Sequence, residues 1–279
     1  MRTLATELFK EMVSRPDPHM DLASAALLIA LDEYPALDIP KYVREIESMA
    51  AALRSDVAFS GNTQVIERLQ RLNRFLFGVK GFRGNRANYY DPRNSFLNEV
   101  LDRRLGIPIT LSVILIEVAA RLGLKVEGVG MPGHFVVKCE VNGWEVFVDP
   151  FNKGEILGEQ DCRKRVEEQF GPEFQFHRSF LHSVTKHQIL ARMLTNLKGI
   201  YLQQQEFSRA LSTVEKILLV NPNSSSEIRD RGSIHFKLNN MASALEDWVR
   251  YLEVQPDAAD AAEVKNRMKA AAELMALRN

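Results

Sequence analysis

One histidine and one aspartate in this chain are spaced for chemistry: His134, in PGHFVVK, and Asp149, in EVFVDP. An imidazole oriented by a carboxylate is the base half of a nucleophile–base–orienter set, the machinery of acyl and amide transfer. Asn142-Gly143 lies between them and signals a hairpin, since both residues of a two-residue turn must accept positive φ. A two-residue loop there pairs Val141 with Trp144, Cys139 with Val146 and Val136 with Asp149. That register puts His134, Val136, Lys138, Phe147 and Asp149 on one face, with His134 and Asp149 diagonal and within hydrogen-bond reach. Phe135, Val137, Cys139, Val141, Trp144, Val146 and Val148 take the other face.

The pair lacks an evident nucleophile. Cys139 points away from His134 and reads as a small core hydrophobe. Cys162 lies in a polar stretch, EQDCRKR, with nothing to mark it as reactive. Thr110 and Ser112 are the nearest hydroxyls, but a hydroxyl needs a closely placed base and a positioned oxyanion site. Two cysteines make no metal or disulfide framework. His177, His182 and His187 recur at a spacing of about 500° on a helix and do not converge. No metal and no cofactor are expected.

The elements that would hold the pair follow from periodicity. Pro108 suits a first helical turn, where its missing N–H costs nothing. Leu111, Ile114, Leu115 and Val118 form a stripe that Val113 and Ile116 widen, so a helix buried on most sides runs to a stop at Gly123. Upstream, four helical stripes are expected: Leu4, Leu8, Phe9 and Met12; Leu22 to Ile29, capped by Asp21; Tyr42, Ile46, Met49 and Leu53; and Val65, Leu69, Leu72, Phe75 and Leu76, ending before Gly78. Gly78–Ser95 reads as a long loop whose aromatics, Phe82, Tyr89 and Tyr90, tuck into the core. Its Lys80, Arg83, Arg86 and Arg93 also allow an anion or single-strand contact surface, but no phosphate-loop spacing accompanies the glycines. Ser95 is expected to cap the next helix.

Bulk properties narrow the classes. The 279 residues are 46% hydrophobic and 26% charged, with Lys+Arg and Asp+Glu equal at 36. No net field draws the chain to nucleic acid or an anionic membrane. Leu22–Leu31 is too short to span a bilayer. Met1–Lys10 carries an acidic residue and no apolar core before a cleavage site, so a cytoplasmic protein without a signal peptide is expected.

The helix, the RLGL turn of Arg121–Leu124, the strand after His134 and the Trp144-to-Pro150 strand together resemble the papain-like core of the transglutaminase-like superfamily. That resemblance implies a Cys-His-Asp triad. His134 and Asp149 match two members, and the cysteine falls around Pro108, in Gly106-Ile107-Pro108. More closely, YYDPRNSFLNEVLDRRLGIPITLSV, PGHFVVK and RDRG (Arg229–Gly232) resemble the bacterial SirB family over roughly residues 20–260. The family implies a degenerate transglutaminase-like core joined to tetratricopeptide repeats, with no settled activity.

The residues themselves also carry a repeat. Ala210 and Ala244, Tyr201 and His235, Val214 and Trp248, and Pro222 and Pro256 are each 34 residues apart, the tetratricopeptide period. Repeats are placed at about 191–224 and 225–258, with Leu194, Leu197 and Tyr201 facing inward, Gly232 allowing close helix approach and Trp248 filling the interior. A capping helix follows in 259–279, over Ala262 to Leu277. Two repeats bury little by themselves, so the array is expected to dock on the core. Arg192, Thr195, Arg229, Phe236 and Lys237 are expected to line a groove for an acidic peptide or terminal carboxylate, unless Arg192 and Arg229 pair with local acids, as Asp230 beside Arg229 allows, or dock the array.

The fold class is therefore α+β and mostly helical. A helical N-terminal region and transglutaminase-like core fill 1–187 (the core about 84–187), and the helical repeat array fills 188–279. The favoured function is a non-catalytic interaction or regulatory protein with a protein or peptide partner. The alternatives are an amide-directed hydrolase or acyltransferase using Thr110 or Ser112 with His134 and Asp149, and nucleic-acid binding through Gly78–Ser95, which the neutral charge disfavours.

Overall fold

A computed structural model describes residues 4–55, Phe59 and 64–276. Met1, in the leader reading, and Leu277, in the capping-helix reading, lie outside the described residues. The fold is α+β and mostly helical, and it divides into two compact units, 1–189 and 190–279.

In the first unit, α1 (Leu4–Val13), α2 (Leu22–Leu28), α3 (Ile39–Arg54) and α4 (Val65–Asn73) precede the core. Asp21 caps α2, its carboxylate accepting from the Ser24 N–H at 2.5 Å, which satisfies one of the orphan donors of a helix start. Tyr42, Ile46, Met49 and Leu53 are all buried, as their spacing predicts. In α1 the inward residues are Phe9 and Val13, while Leu4 is 77% exposed. The fourth stripe does not stop before Gly78: α4 continues as a π-helical turn over Arg74–Val79. Gly78 has only the Arg74 side chain nearby, so nothing steric forces an end there.

The loop leads through β1 (Arg83–Gly84), which pairs in parallel with β2 (Leu105–Gly106), and a helical turn at Pro92–Asn94. Helix α5 spans Leu97–Arg103. Ser95 does not cap it, because the helix starts at Leu97 with Phe96 in the cap position. Of the loop aromatics Phe82 is buried, whereas Tyr89 and Tyr90 stand out from the surface.

Helix α6 (Pro108–Arg121) is the axis of this unit, with every residue from Pro108 to Ala119 buried. Its β-branched content would suit a strand, but burial against α2, α3 and β4 outweighs propensity. Gly123, at φ +69°, ends it, and the Leu124 N–H donates back to Ala119 O at 2.9 Å. An antiparallel sheet follows in the order β3 (Glu127–Val129), β4 (Val136–Val141), β5 (Trp144–Asp149), β6 (Glu155–Leu157). Val141 pairs with Trp144 and Cys139 with Val146, across a turn in which Asn142 and Gly143 have φ of 52° and 82°. Val136, Phe147 and Leu157 on one sheet face bury Cys162 and Val166 of α7 (Glu159–Phe170).

In the second unit, α8 (Lys186–Gln203, begun in the first), α9 (Phe207–Val220), α10 (Ser225–Lys237), α11 (Met241–Val254) and α12 (Ala261–Ala276) alternate as helical hairpins. Ala210, Val214, Ala244 and Trp248 are fully buried, and Leu194, Leu197 and Tyr201 nearly so. A Cβ on Gly232 would lie 2.8 Å from the Trp248 ring, so glycine is what lets α10 and α11 approach. No helix among the described residues is long and apolar enough to cross a membrane.

Candidate functional site

Pro132-Gly133 forms a turn, with Gly133 at φ +68°, that ends two residues before β4 begins. His134 therefore sits in the entry to the strand and not within it, yet the alternation of β4 and β5 still carries it to the Asp149 side. His134 Nε2 lies 2.8 Å from Asp149 Oδ2. Asp149 is fully buried, and the His134 side chain keeps 16% of its surface.

Three further donors converge on the same carboxylate. Asn152 Nδ2 and Arg165 Nη1 each reach Oδ2 at 2.8 Å, and the Asn152 backbone N–H reaches Oδ1 at 3.2 Å. The last contact is a capping interaction, in which Asp149 precedes a short helical turn over Pro150–Asn152. Burial pushes the Asp149 carboxyl up, but the hydrogen bond and charge of His134, the Asn152 amide and the Arg165 guanidinium outweigh it. The net shift is downward, so Asp149 is an ionised acceptor. An acceptor-only partner on Nε2 requires the proton on that nitrogen, which makes Nδ1 the basic one in the neutral ring.

The hydroxyls are committed elsewhere. Thr110 Oγ1 donates to Asn94 O at 2.8 Å and accepts from the Ile107 N–H at 3.2 Å, closing the first turn of α6. Ser112 Oγ donates to Pro108 O at 2.8 Å. Both are fully buried, and each has its single proton in use. Pro108, at the position the resemblance gives to the cysteine, is a buried first-turn residue of α6. Both thiols are buried: desolvation raises Cys139 above the ordinary thiol range, and it pushes Cys162 up to about 12.

Asn152, Arg165, Arg86 and Phe151 were not singled out in the sequence as members of this site. Arg86 donates to Asn152 Oδ1 and lies 5.5 Å over the Phe151 ring, whose centroid is 6.3 Å from that of His134. Asn152 had a signal, since Asp149-Pro150 can open an Asx-type turn whose side-chain acceptor reaches the N–H of the fourth residue, Asn152. Arg165 had none, because only the packing of α7 on the sheet brings it to Asp149.

The repeat residues separate into two groups. Arg229, Phe236 and Lys237 line one cleft of about 500 Å³, which Arg192 and Thr195 do not line. Arg229 pairs with Asp230 and Asp260, each at 2.7 Å, and these contacts raise its pKa further. Lys198 is held between Glu227 and Asp230 at 2.8 Å. Phe236 packs on Trp248 with centroids 5.7 Å apart, and Thr195 Oγ1 donates to Ala191 O. Of the spaced histidines, His187 contacts Asp17 and Val13 O while His177 lies against the Phe180 ring.

Comparison with known proteins agrees with this architecture. A profile of the transglutaminase-like superfamily matches residues 40–195, and a tetratricopeptide-repeat profile matches 197–269. A UPF0162 protein of Xylella fastidiosa (strain 9a5c) is 39% identical over 256 residues, 91% of this chain and 90% of the relative. UPF0162 protein YchA of Escherichia coli K12 is 27% identical, covering 81% of this chain and 82% of its own. Protein SirB1 of Salmonella typhimurium is 28% identical, covering 82% and 86%. With a profile spanning more than half its length and a 39% identical relative, the chain belongs to the transglutaminase-like superfamily, with the UPF0162 and SirB1 proteins as relatives, and it carries tetratricopeptide repeats after that domain.

Proposed function

We propose that this protein is a non-catalytic member of its superfamily, an interaction or regulatory protein in which the His134–Asp149 core binds a partner and the repeats add further binding surface. The observation that supports this reading is the commitment of both candidate hydroxyls. Thr110 and Ser112 are sealed in the first turns of α6 with their protons on backbone carbonyls, and activating either requires breaking a buried hydrogen bond first. Neither buried thiol has the lowered pKa of a nucleophilic cysteine. Tetratricopeptide repeats generally mediate protein–protein interaction, which is consistent with a binding role.

The test is a panel of amide, ester and glutamine-donor substrates offered to the full chain and to His134→Ala. Turnover no greater than that of the variant is expected with every substrate. His134-dependent turnover of any of them would restore the hydrolase or acyltransferase reading.

A further inference from the structure

Four rings form a continuous row from solvent to the buried carboxylate. Tyr90 is 5.3 Å from Tyr89, Tyr89 is 5.9 Å from Phe151, and Phe151 is 6.3 Å from His134, centroid to centroid. Tyr90 is 64% exposed and Tyr89 37%. Arg86 lies over the Phe151 ring in the middle of the row.

The row is held rigidly. Asn94, fully buried, donates through Nδ2 to the carbonyls of Asn88 at 2.7 Å and Tyr89 at 3.1 Å, while its Oδ1 accepts from Asn85 and Arg103. Its own carbonyl accepts from Thr110. Phe151 fits because Gly84 lacks a side chain: a Cβ there would lie 2.5 Å from the ring. Large exposed rings on an overdetermined loop are preorganised for contact, since little side-chain or loop entropy remains to be lost.

Arg86 is also the cation left over in its surroundings. It opens onto a cleft of about 430 Å³ whose other charges are Glu155, Asp161, Lys164, Arg165 and Glu168. Arg165 is taken by Asp149 and Glu155, Lys164 lies 3.9 Å from Glu168, and Asp161 accepts from the Gly158 N–H. Arg86 has no carboxylate partner among the described residues; its guanidinium meets the neutral Asn152 amide and the Phe151 ring. It therefore has charge to offer a carboxylate.

The geometry points to this row as the docking site for an extended acidic peptide segment of a partner protein, with a carboxylate on Arg86 and aliphatic or aromatic side chains against Tyr89, Tyr90 and Phe151. The inference rests on the binding reading of the core and gives that partner its chemistry. The three ring-to-ring steps can face at most about five residues of extended chain. Single-stranded nucleic acid fits worse. The rings meet edge to face, with interplanar angles of 79°, 74° and 84°, and so present no set of parallel platforms for successive bases. The cleft beside Arg86 also intersperses three cations with three acids, most of them paired with one another, so it forms no continuous cationic track for a phosphate backbone.

The test uses the full chain and three fluorescein-labelled probes: a peptide alternating Glu with Phe and Leu, the same peptide with Lys for Glu, and an oligothymidylate. Saturable anisotropy change is expected with the Glu peptide only. Arg86→Glu should weaken it at least about tenfold, as for a charge contact at an interface centre. Tyr90→Ala, at a solvent-facing ring whose loss leaves the loop intact, should weaken it about three- to tenfold. No binding of the Glu peptide, equal affinity in both variants, or tighter binding of the oligothymidylate would overturn the proposal. His134-dependent turnover in the substrate panel, with variant-sensitive peptide binding intact, would remove the non-catalytic reading and leave the docking row standing.

Discussion

Asp149 shows how one carboxylate can be made both buried and ionised. A folded-state pKa below the ordinary value contributes stability that is present above the unfolded value, about 3.9, and lost as pH falls through the folded one. The urea midpoint should therefore hold level from neutral pH to about pH 5 and fall below about pH 4. Asp149→Asn should flatten that acid limb, and an unchanged limb in the variant would show that other carboxylates control it. Asp149→Ala takes the carboxylate from His134 and one of two from Arg165, which keeps Glu155. The expected loss lies toward the lower end of ~3–5 kcal/mol, because 24% of the Arg165 side chain remains in solvent to rehydrate it. At the same scale, neither buried thiol should react quickly with a thiol reagent at pH 8 until the protein is unfolded. Rapid labelling of one native cysteine would reopen the thiol-enzyme reading.

At the scale of elements, the repeat helices offer a paired test of what glycine does. Gly232 faces Trp248 at a would-be Cβ distance of 2.8 Å, whereas Gly199 on α8 has nothing within 4 Å. Ala gains up to about 1 kcal/mol over Gly in a helix interior, and overpacking a filled interface costs about 1–3 kcal/mol. Gly199→Ala should raise the melting temperature and Gly232→Ala should lower it. The same sign for both would mean that the α10–α11 contact is looser than its geometry. The element scale is also where the sequence was most legible. The Asn142-Gly143 hairpin, the Pro108 start and Gly123 stop of α6, and the Asp21 cap are local, set by residues within a few positions of each other. Two local readings departed from the structure, each beside a contact to a distant segment: Asn73 donates to Gly154 O, and the Asn94 carbonyl, next to Ser95, accepts from Thr110. Helix α4 runs past Gly78 into a π turn, and Ser95 is buried before α5 instead of capping it.

For the whole molecule, the balance of 36 basic and 36 acidic residues sets the expected behaviour toward polyanions. The full chain should pass through a heparin column at moderate salt, and retention that falls steeply with added salt would indicate a cationic track that the docking row lacks. The division into units at 189/190 falls inside α8, which begins within the first unit and continues into the second. The repeat period was visible because each unit reuses one packing solution, with Ala210 and Ala244, then Val214 and Trp248, at matching interior positions.

The sequence by itself determined the periodicities: the helices, the hairpin register, the repeat and the placing of His134 and Asp149 on one face. These follow from backbone geometry that repeats every two or 3.6 residues, so residue order alone carries them. Only the tertiary structure decided what surrounds the pair. Arg165 comes from α7 and Arg86 from a loop before α5, while Thr110 is turned onto a carbonyl sixteen residues away in the chain. No local period encodes such contacts, because they arise when separate elements bury their apolar faces against a common sheet and carry their polar side chains with them.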